Sequence, residues 1–184
     1  MMHRTVSADS GGMKRKGVYG MPNYLAVFQN NMLATAQNRY VAKELMELSD
    51  KTEEYGIVLS GRDCQEIAEF RAAALAENER IEVGVGAVKR IIEEFCDSGY
   101  VNQNNFKETV EGLLECFYTI KSETDDKVSD DEAIEFLKYL FETEAGGDIN
   151  KLYDSEAFDI FINGQGNGRS VRTEKNGKDR EQEL

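Results

Sequence analysis

The sequence predicts a mostly α protein: a helical bundle of about five to six helices, with one short two-stranded β ribbon as an optional addition. Apolar residues recur at three- and four-residue spacing through the middle of the chain, as helices with one buried face require. The only proline is Pro22, so no later helix is broken by one. Two serine-led motifs, Ser60-Gly61-Arg62-Asp63 and Ser129-Asp130-Asp131-Glu132, have the form of capping boxes and mark helix starts.

Pro22 stands where a first helix begins. Leu25, Phe28, Met32 and Ala36 share one helical face, followed by Val41, Leu45 and Leu48. This gives one long helix or two consecutive ones over about residues 23–54, closed by a glycine cap at Tyr55-Gly56. The helix opened by Ser60 turns Cys64, Ile67, Ala68, Ala74 and Leu75 inward and ends near Asn78. Ile81-Glu82-Val83-Gly84-Val85 alternates as a half-buried strand does, with Ile57-Val58-Leu59 as its candidate partner. Such a pair is marginal unless something packs on it. Val88, Ile91, Ile92 and Phe95 form the next amphipathic helix, ending at Gly99. Phe106, Val110, Leu113, Leu114, Phe117 and Ile120 form another, with the cleanest period in the chain. Behind Ser129, a helix buries Ile134, Leu137, Leu140 and Phe141 and stops at Gly146-Gly147. A short last helix holds Leu152, Phe158, Phe161 and Ile162.

These elements place a single helical domain at residues 23–162, between disordered tails at 1–22 and 163–184, with Met1 and Met21 both open as the start. A core of about 140 residues needs neither a metal nor a disulfide to hold it together. The charge is uneven: residues 1–20 carry +3 and 163–184 carry +1, leaving 21–162 at −17 within a total of −13. Such a surface repels phosphate backbones, so direct nucleic-acid binding is not expected, and it favours basic partners. Cys64, Cys96 and Cys116 are odd in number, widely spaced and set within helical patterns, which suits buried free thiols in a reducing compartment. No apolar run approaches the roughly 20 residues that span a bilayer, and residues 1–20 lack the apolar stretch of a secretory signal. The expected location is the cytoplasm, away from membranes.

Several chemistries fall away on residue inventory. The one histidine, His3, lies in the N-terminal tail, so a serine or cysteine nucleophile has no histidine base. There is no Cys-x-x-Cys pair, and Glu66-x-x-Glu69 and Glu132-x-x-Glu135 lack the histidine of a di-iron motif. Calcium-loop registers starting at Asp97 and Asp125 put Asn102 and Asp130 at the position that requires glycine. Gly84-x-Gly86 precedes a helix as a phosphate turn would, but Lys89 replaces the third glycine, and a sharp turn into the helix explains the pair as well. No cofactor, metal or catalytic residue is assigned. The candidate ligand- or partner-binding residues are Cys96, Asp97, Ser98 and Tyr100, in the linker between the two best helices, together with Arg80. In the plainer account of that linker, Cys96 is core, Gly99 caps a helix, and Asp97 and Ser98 satisfy backbone amides.

Thr52-x-x-Tyr55-Gly56-Ile57-x-Leu59-Ser60 and Asn78-x-Arg80-Ile81-Glu82-Val83-Gly84-x-Gly86 occur in order with Phe95-Cys96-Asp97-Ser98-x-Tyr100, Phe117-Tyr118 and Ser129-Asp130-Asp131-Glu132. Over about residues 24–150 the chain thereby resembles an uncharacterised family of small bacterial proteins, typically from clostridial Firmicutes, classed as a domain of unknown function. In that family Gly84-Val85-Gly86 usually reads Gly-Gly-Gly and Gly99 is often proline, departures that concern turn geometry. The resemblance implies a bacterial cytosolic origin and supplies neither an activity nor site residues. The leading functional expectation is a non-enzymatic protein-interaction module, a helical adaptor or accessory subunit with a protein partner of basic character. A small-molecule or ion-binding regulator using the Cys96–Tyr100 linker and an acidic nucleic-acid mimic are the alternatives, and a homodimer is a further option for the apolar faces.

Overall fold

The computed structural model describes the backbone of residues 24–165 and the side chains of 32–164. The tails expected at 1–22 and 163–184 therefore lie outside the described residues, except that 163–165 close the last helix. Among the described residues eight helices follow one another: α1 (Tyr24–Met46), α2 (Ser49–Glu53), α3 (Gly61–Glu77), α4 (Ala87–Phe95), α5 (Phe106–Glu123), α6 (Asp130–Thr143), α7 (Ile149–Tyr153) and α8 (Glu156–Gln165). The surplus over the five to six expected comes chiefly from α2 and α7, five-residue helices too short to show a periodic stripe. None of the helices among the described residues is long and apolar enough to cross a membrane.

Local chemistry sets the boundaries. Ser60 Oγ accepts the Asp63 amide at 3.1 Å while Asp63 Oδ2 accepts the Ser60 amide at 3.2 Å, and Ser129 with Glu132 does the same ahead of α6. Both capping boxes are formed. After α2, Gly56 takes φ +77°, and the Ile57 and Gly56 amides return to the Thr52 and Glu53 carbonyls. That is the two-bond glycine termination expected at Tyr55-Gly56.

Helix α5 is the centre of the bundle, touching α3, α4, α6, α7 and α8, while α1 packs on α3. Its predicted stripe is buried throughout, and the Phe117 ring meets Tyr118 edge-on with centroids 5.4 Å apart. Phe95 of α4 and Phe141 of α6 meet in the same manner at 5.6 Å. Gly112 leaves α5 bare where Ile149 of α7 lies against it, and a Cβ there would collide with the Ile149 side chain.

Two expectations give way. The first concerns α1, whose inward face starts only at Val41: Met32 is 58 % and Leu33 69 % exposed, and Ala36 is exposed too. The side chains of Leu25 and Phe28 lie outside the described residues. Helix α3 ends at Glu77, beside Ala34–Asn38 of α1, so the preceding turns of α1 run past its end. The second is the β ribbon: no strand occurs among the described residues. Ile57 and Leu59 are buried with Val58 exposed between them, but the Val58 backbone pairs with a side chain instead of a strand. The Gln103 carboxamide accepts the Val58 amide at 2.5 Å and donates to its carbonyl at 3.2 Å.

Truncating the centre of α5 tests this packing. Phe117→Ala is expected to destabilise the fold by about 3–5 kcal/mol in urea unfolding, with the slope against denaturant unchanged.

Candidate functional site

The residues between α3 and α4 alternate as the sequence suggests, but inside and outside are exchanged. Ile81 is 96 % and Val83 92 % exposed, whereas Glu82 turns into the protein. The reason is Arg71, which sits on the apolar stripe of α3 and is only 1 % exposed. Its Nε and Nη2 donate to Glu82 Oε2 at 3.1 and 2.7 Å, and Nη2 also donates to the Gly84 carbonyl at 3.0 Å. Tyr118 of α5 donates its hydroxyl to the same Glu82 oxygen at 2.8 Å. Glu82 Oε1 accepts the Ala87 amide, the first of α4, at 2.9 Å. One carboxylate thus joins α3, α4 and α5. Burial pushes the Tyr118 phenol far above its ordinary range, and the Glu82 charge adds to the effect, so the hydroxyl remains a donor.

The glycines complete the clamp. Gly84 and Gly86 both take positive φ, and a Cβ on Gly86 would strike the Glu82 carboxylate. They serve the sharp turn into α4, as the plainer sequence reading has it. At the Ala87 amide, where a phosphate oxygen would sit in the other reading, the protein's own carboxylate is already bound.

With Glu82 drawn inward, Ile81 and Val83 project from an anchored loop. No hydrogen bond among the described residues uses the backbone amide or carbonyl of either. Beside them a groove of about 240 Å³ runs between α1 and α3, walled by Ala34, Gln37, Leu75, Ala76 and Ile81, with Arg71 and Arg80 also reaching it. Gln37 donates from its carboxamide to the Glu82 carbonyl at 3.3 Å, tying α1 to the loop. A second hollow, about 410 Å³, lies between α6 and α8 beside Phe136 and Phe161, which stack at 3.7 Å.

The five candidate residues read from the sequence divide between the two ends of α5. Arg80 donates to Asp126 Oδ1 at 2.5 Å, just past the C-terminus of α5, and this contact holds the Asp126 carboxyl below its usual range. Cys96, Asp97, Ser98 and Tyr100 precede the N-terminus of α5, an 18-residue helix about 27 Å long. Cys96 is buried there, and Ser98 is buried with its backbone bonded to Phe95 and Val101. Asp97 accepts Lys138 Nζ at 2.7 Å, and the half-exposed Tyr100 ring meets Phe141 edge-on at 6.2 Å and lies over Gly147. The Asp97 carboxylate and the Ser98 backbone are thus engaged by α6 and by the linker's own turn.

Next to Asp126, the α5–α6 loop closes on a cation from the chain itself. The buried Lys121 donates Nζ to the Val128 carbonyl at 2.7 Å and forms ion pairs with Asp130 at 2.9 Å and Asp126 at 3.5 Å. No group of three or more histidine, cysteine or acidic residues able to hold a metal ion occurs among the described residues.

The model of one protein family matches residues 44–166. The chain belongs to DUF6323, a family of unknown function. The matched region begins twenty residues later than the resemblance in the sequence indicates and continues to the end of α8, so it contains the whole Arg71–Glu82–Tyr118 clamp but only the last turn of α1. No curated protein and no solved structure matches the chain.

Sequence reasoning passes over Arg71, Glu82 and Tyr118. A signal was present: an arginine four residues after Ile67 and three before Ala74 occupies the buried stripe of α3 and needs a buried acceptor.

Two outcomes follow from this geometry. Glu82→Ala leaves Arg71 buried without its partner and is expected to cost about 3–5 kcal/mol, while Tyr118→Phe costs about 1–3 kcal/mol. In both, amide exchange should accelerate first at Val83–Ala87, and uniform acceleration across the bundle would contradict the clamp. The second outcome concerns the thiols. Burial pushes Cys64 up to about 11 and Cys116 up to about 12, and Cys96 upward as well. Because the thiolate is the reactive form, a thiol-disulfide reagent at neutral pH should leave all three unmodified until the protein unfolds.

Proposed function

We propose that the protein is a non-enzymatic, cytoplasmic interaction module, a helical adaptor or accessory subunit that binds a protein partner through the Arg80–Gly86 loop. The observation carrying this reading is the near-complete exposure of Ile81 and Val83 on a loop fixed from beneath by a buried ion pair. A mobile loop that exposes two β-branched side chains would lose conformational freedom on binding. A clamped one has much less to lose, which is the usual advantage of a preorganised contact. The polar groups under the loop support the same reading, because Glu82 and Tyr118 are engaged with one another and with Arg71.

A second reading, a small-molecule-binding regulator, draws on the α1–α3 groove, where apolar walls meet the Gln37 carboxamide and two arginines. The groove adjoins Ile81, so a ligand there would bear on the same loop.

The test is quantitative capture from the native cytosol with the wild-type chain and with the double substitution Ile81→Ser/Val83→Ser. Both side chains are solvent-exposed, so the melting temperature should stay within about 2 °C. A protein retained by the wild type and depleted at least about tenfold on the variant supports the module. Identical retention by the two, or recovery of the bare chain alone, defeats it.

A further inference from the structure

The C-terminal ends of α3 and α5 lie side by side next to Ile81, where Ser122 donates to Asn78 Oδ1 at 3.1 Å and Arg80 reaches Asp126. This edge carries Glu77, Glu79, Glu123 and Asp125, all exposed and none engaged in an ion pair among the described residues. Both helices also point their negative dipole ends there. Helix α3 has no basic residue in its last turn, and α5 has only Lys121, which is buried and directed to the α5–α6 loop. Arg80 is taken up by Asp126, leaving Lys127 as the exposed cation of the neighbouring loop. Glu79, Asp125 and Asp126 have φ of +52°, +50° and +59°, and they are the non-glycine residues with positive φ among those described. Glu79 and Asp125 therefore stand on tightly turned backbone beside the apolar pair, and Glu77 and Glu123 close the two helices.

We infer that this edge docks a cationic amphipathic segment of a partner protein. Its apolar side chains rest on Ile81 and Val83, and its lysines or arginines lie opposite Glu77, Glu79, Glu123 and Asp125. The inference rests on the interaction-module reading and adds the chemistry of the partner. Charge complementarity selects this occupant: a second copy would bring an identical set of carboxylates against these, and a phosphate-bearing ligand would be repelled.

The probe is a fluorescein-labelled peptide of about twelve residues built from lysine, leucine and serine, compared with its glutamate-for-lysine counterpart. Binding is followed by fluorescence anisotropy at low and high salt, and by amide chemical shifts in the isotopically labelled chain. The lysine peptide should bind, the glutamate peptide should not, and shifts should centre on Ile81, Val83 and Asp125. Affinity should fall at least about tenfold for Ile81→Ser/Val83→Ser and for the set Glu77→Gln/Glu79→Gln/Glu123→Gln/Asp125→Asn. It should change less than about twofold for Glu135→Gln/Glu144→Gln/Asp154→Asn/Asp159→Asn, which removes equal charge elsewhere.

Equal loss in the two charge variants would overturn the inference, because attraction to the whole acidic body would then be enough. So would light-scattering self-association that Ile81→Ser/Val83→Ser abolishes, which would assign the face to a second copy. If the peptide fails while cytosolic capture still depends on Ile81 and Val83, the module stands and the cationic partner is wrong. If capture itself is independent of those residues, the module reading falls first.

Discussion

The organisation of this bundle turns on one carboxylate. Glu82 lies on a connection with no strand or helix of its own, yet its two oxygens receive a guanidinium, a phenol and a helix-initiating amide. Each donor comes from a different helix, so the order of α3, α4 and α5 and the path between them are fixed together. A buried ion pair is often no better for stability than apolar residues of the same volume would be. Its value here is directional. An apolar residue at position 82 would also be buried, but it could not distinguish the arrangement that aligns Arg71, Tyr118 and the α4 amide from others of similar packing.

The apolar stripes of α3, α4, α5 and α6 were legible because a helix with one buried face leaves a three- to four-residue trace. Both capping boxes were legible for a similar reason, as their partners lie three residues apart. What could not be read was any feature whose partner is distant in sequence. Ile81-Glu82-Val83 carries the same alternation whether the apolar or the acidic residue points inward, and the decision rests with Arg71, eleven residues earlier, and Tyr118, thirty-six later. Gln103 raises the same difficulty, because a lone carboxamide can satisfy the Val58 backbone as a strand would. The early part of α1 differs in another way: Met32 and Ala36 lie on the expected stripe, but both are exposed among the described residues. Periodicity reports that a face is apolar, and the covering of that face depends on its neighbours.

The candidate residues show the same division. Cys96, Asp97, Ser98 and Tyr100 are close in sequence and remain close in space, where they build a turn between α4 and α5 and a contact with α6. Arg80 belongs to the other end of α5. The exposed apolar pair beside it became visible only once the orientation of Glu82 was known, since in the strand reading those two side chains form the buried face.

The Lys121 cage carries a different implication. Oxygen atoms from a carbonyl and two aspartates gather around one positive charge, an arrangement that ion-sensing loops use to register the concentration of a dissolved metal. Here the charge is tethered by four methylenes to the helix that the loop follows. It cannot diffuse away, and its local concentration does not depend on the surrounding medium. The α5–α6 corner is therefore a permanently occupied receptor, with a shape as constant as the covalent chain that fills it.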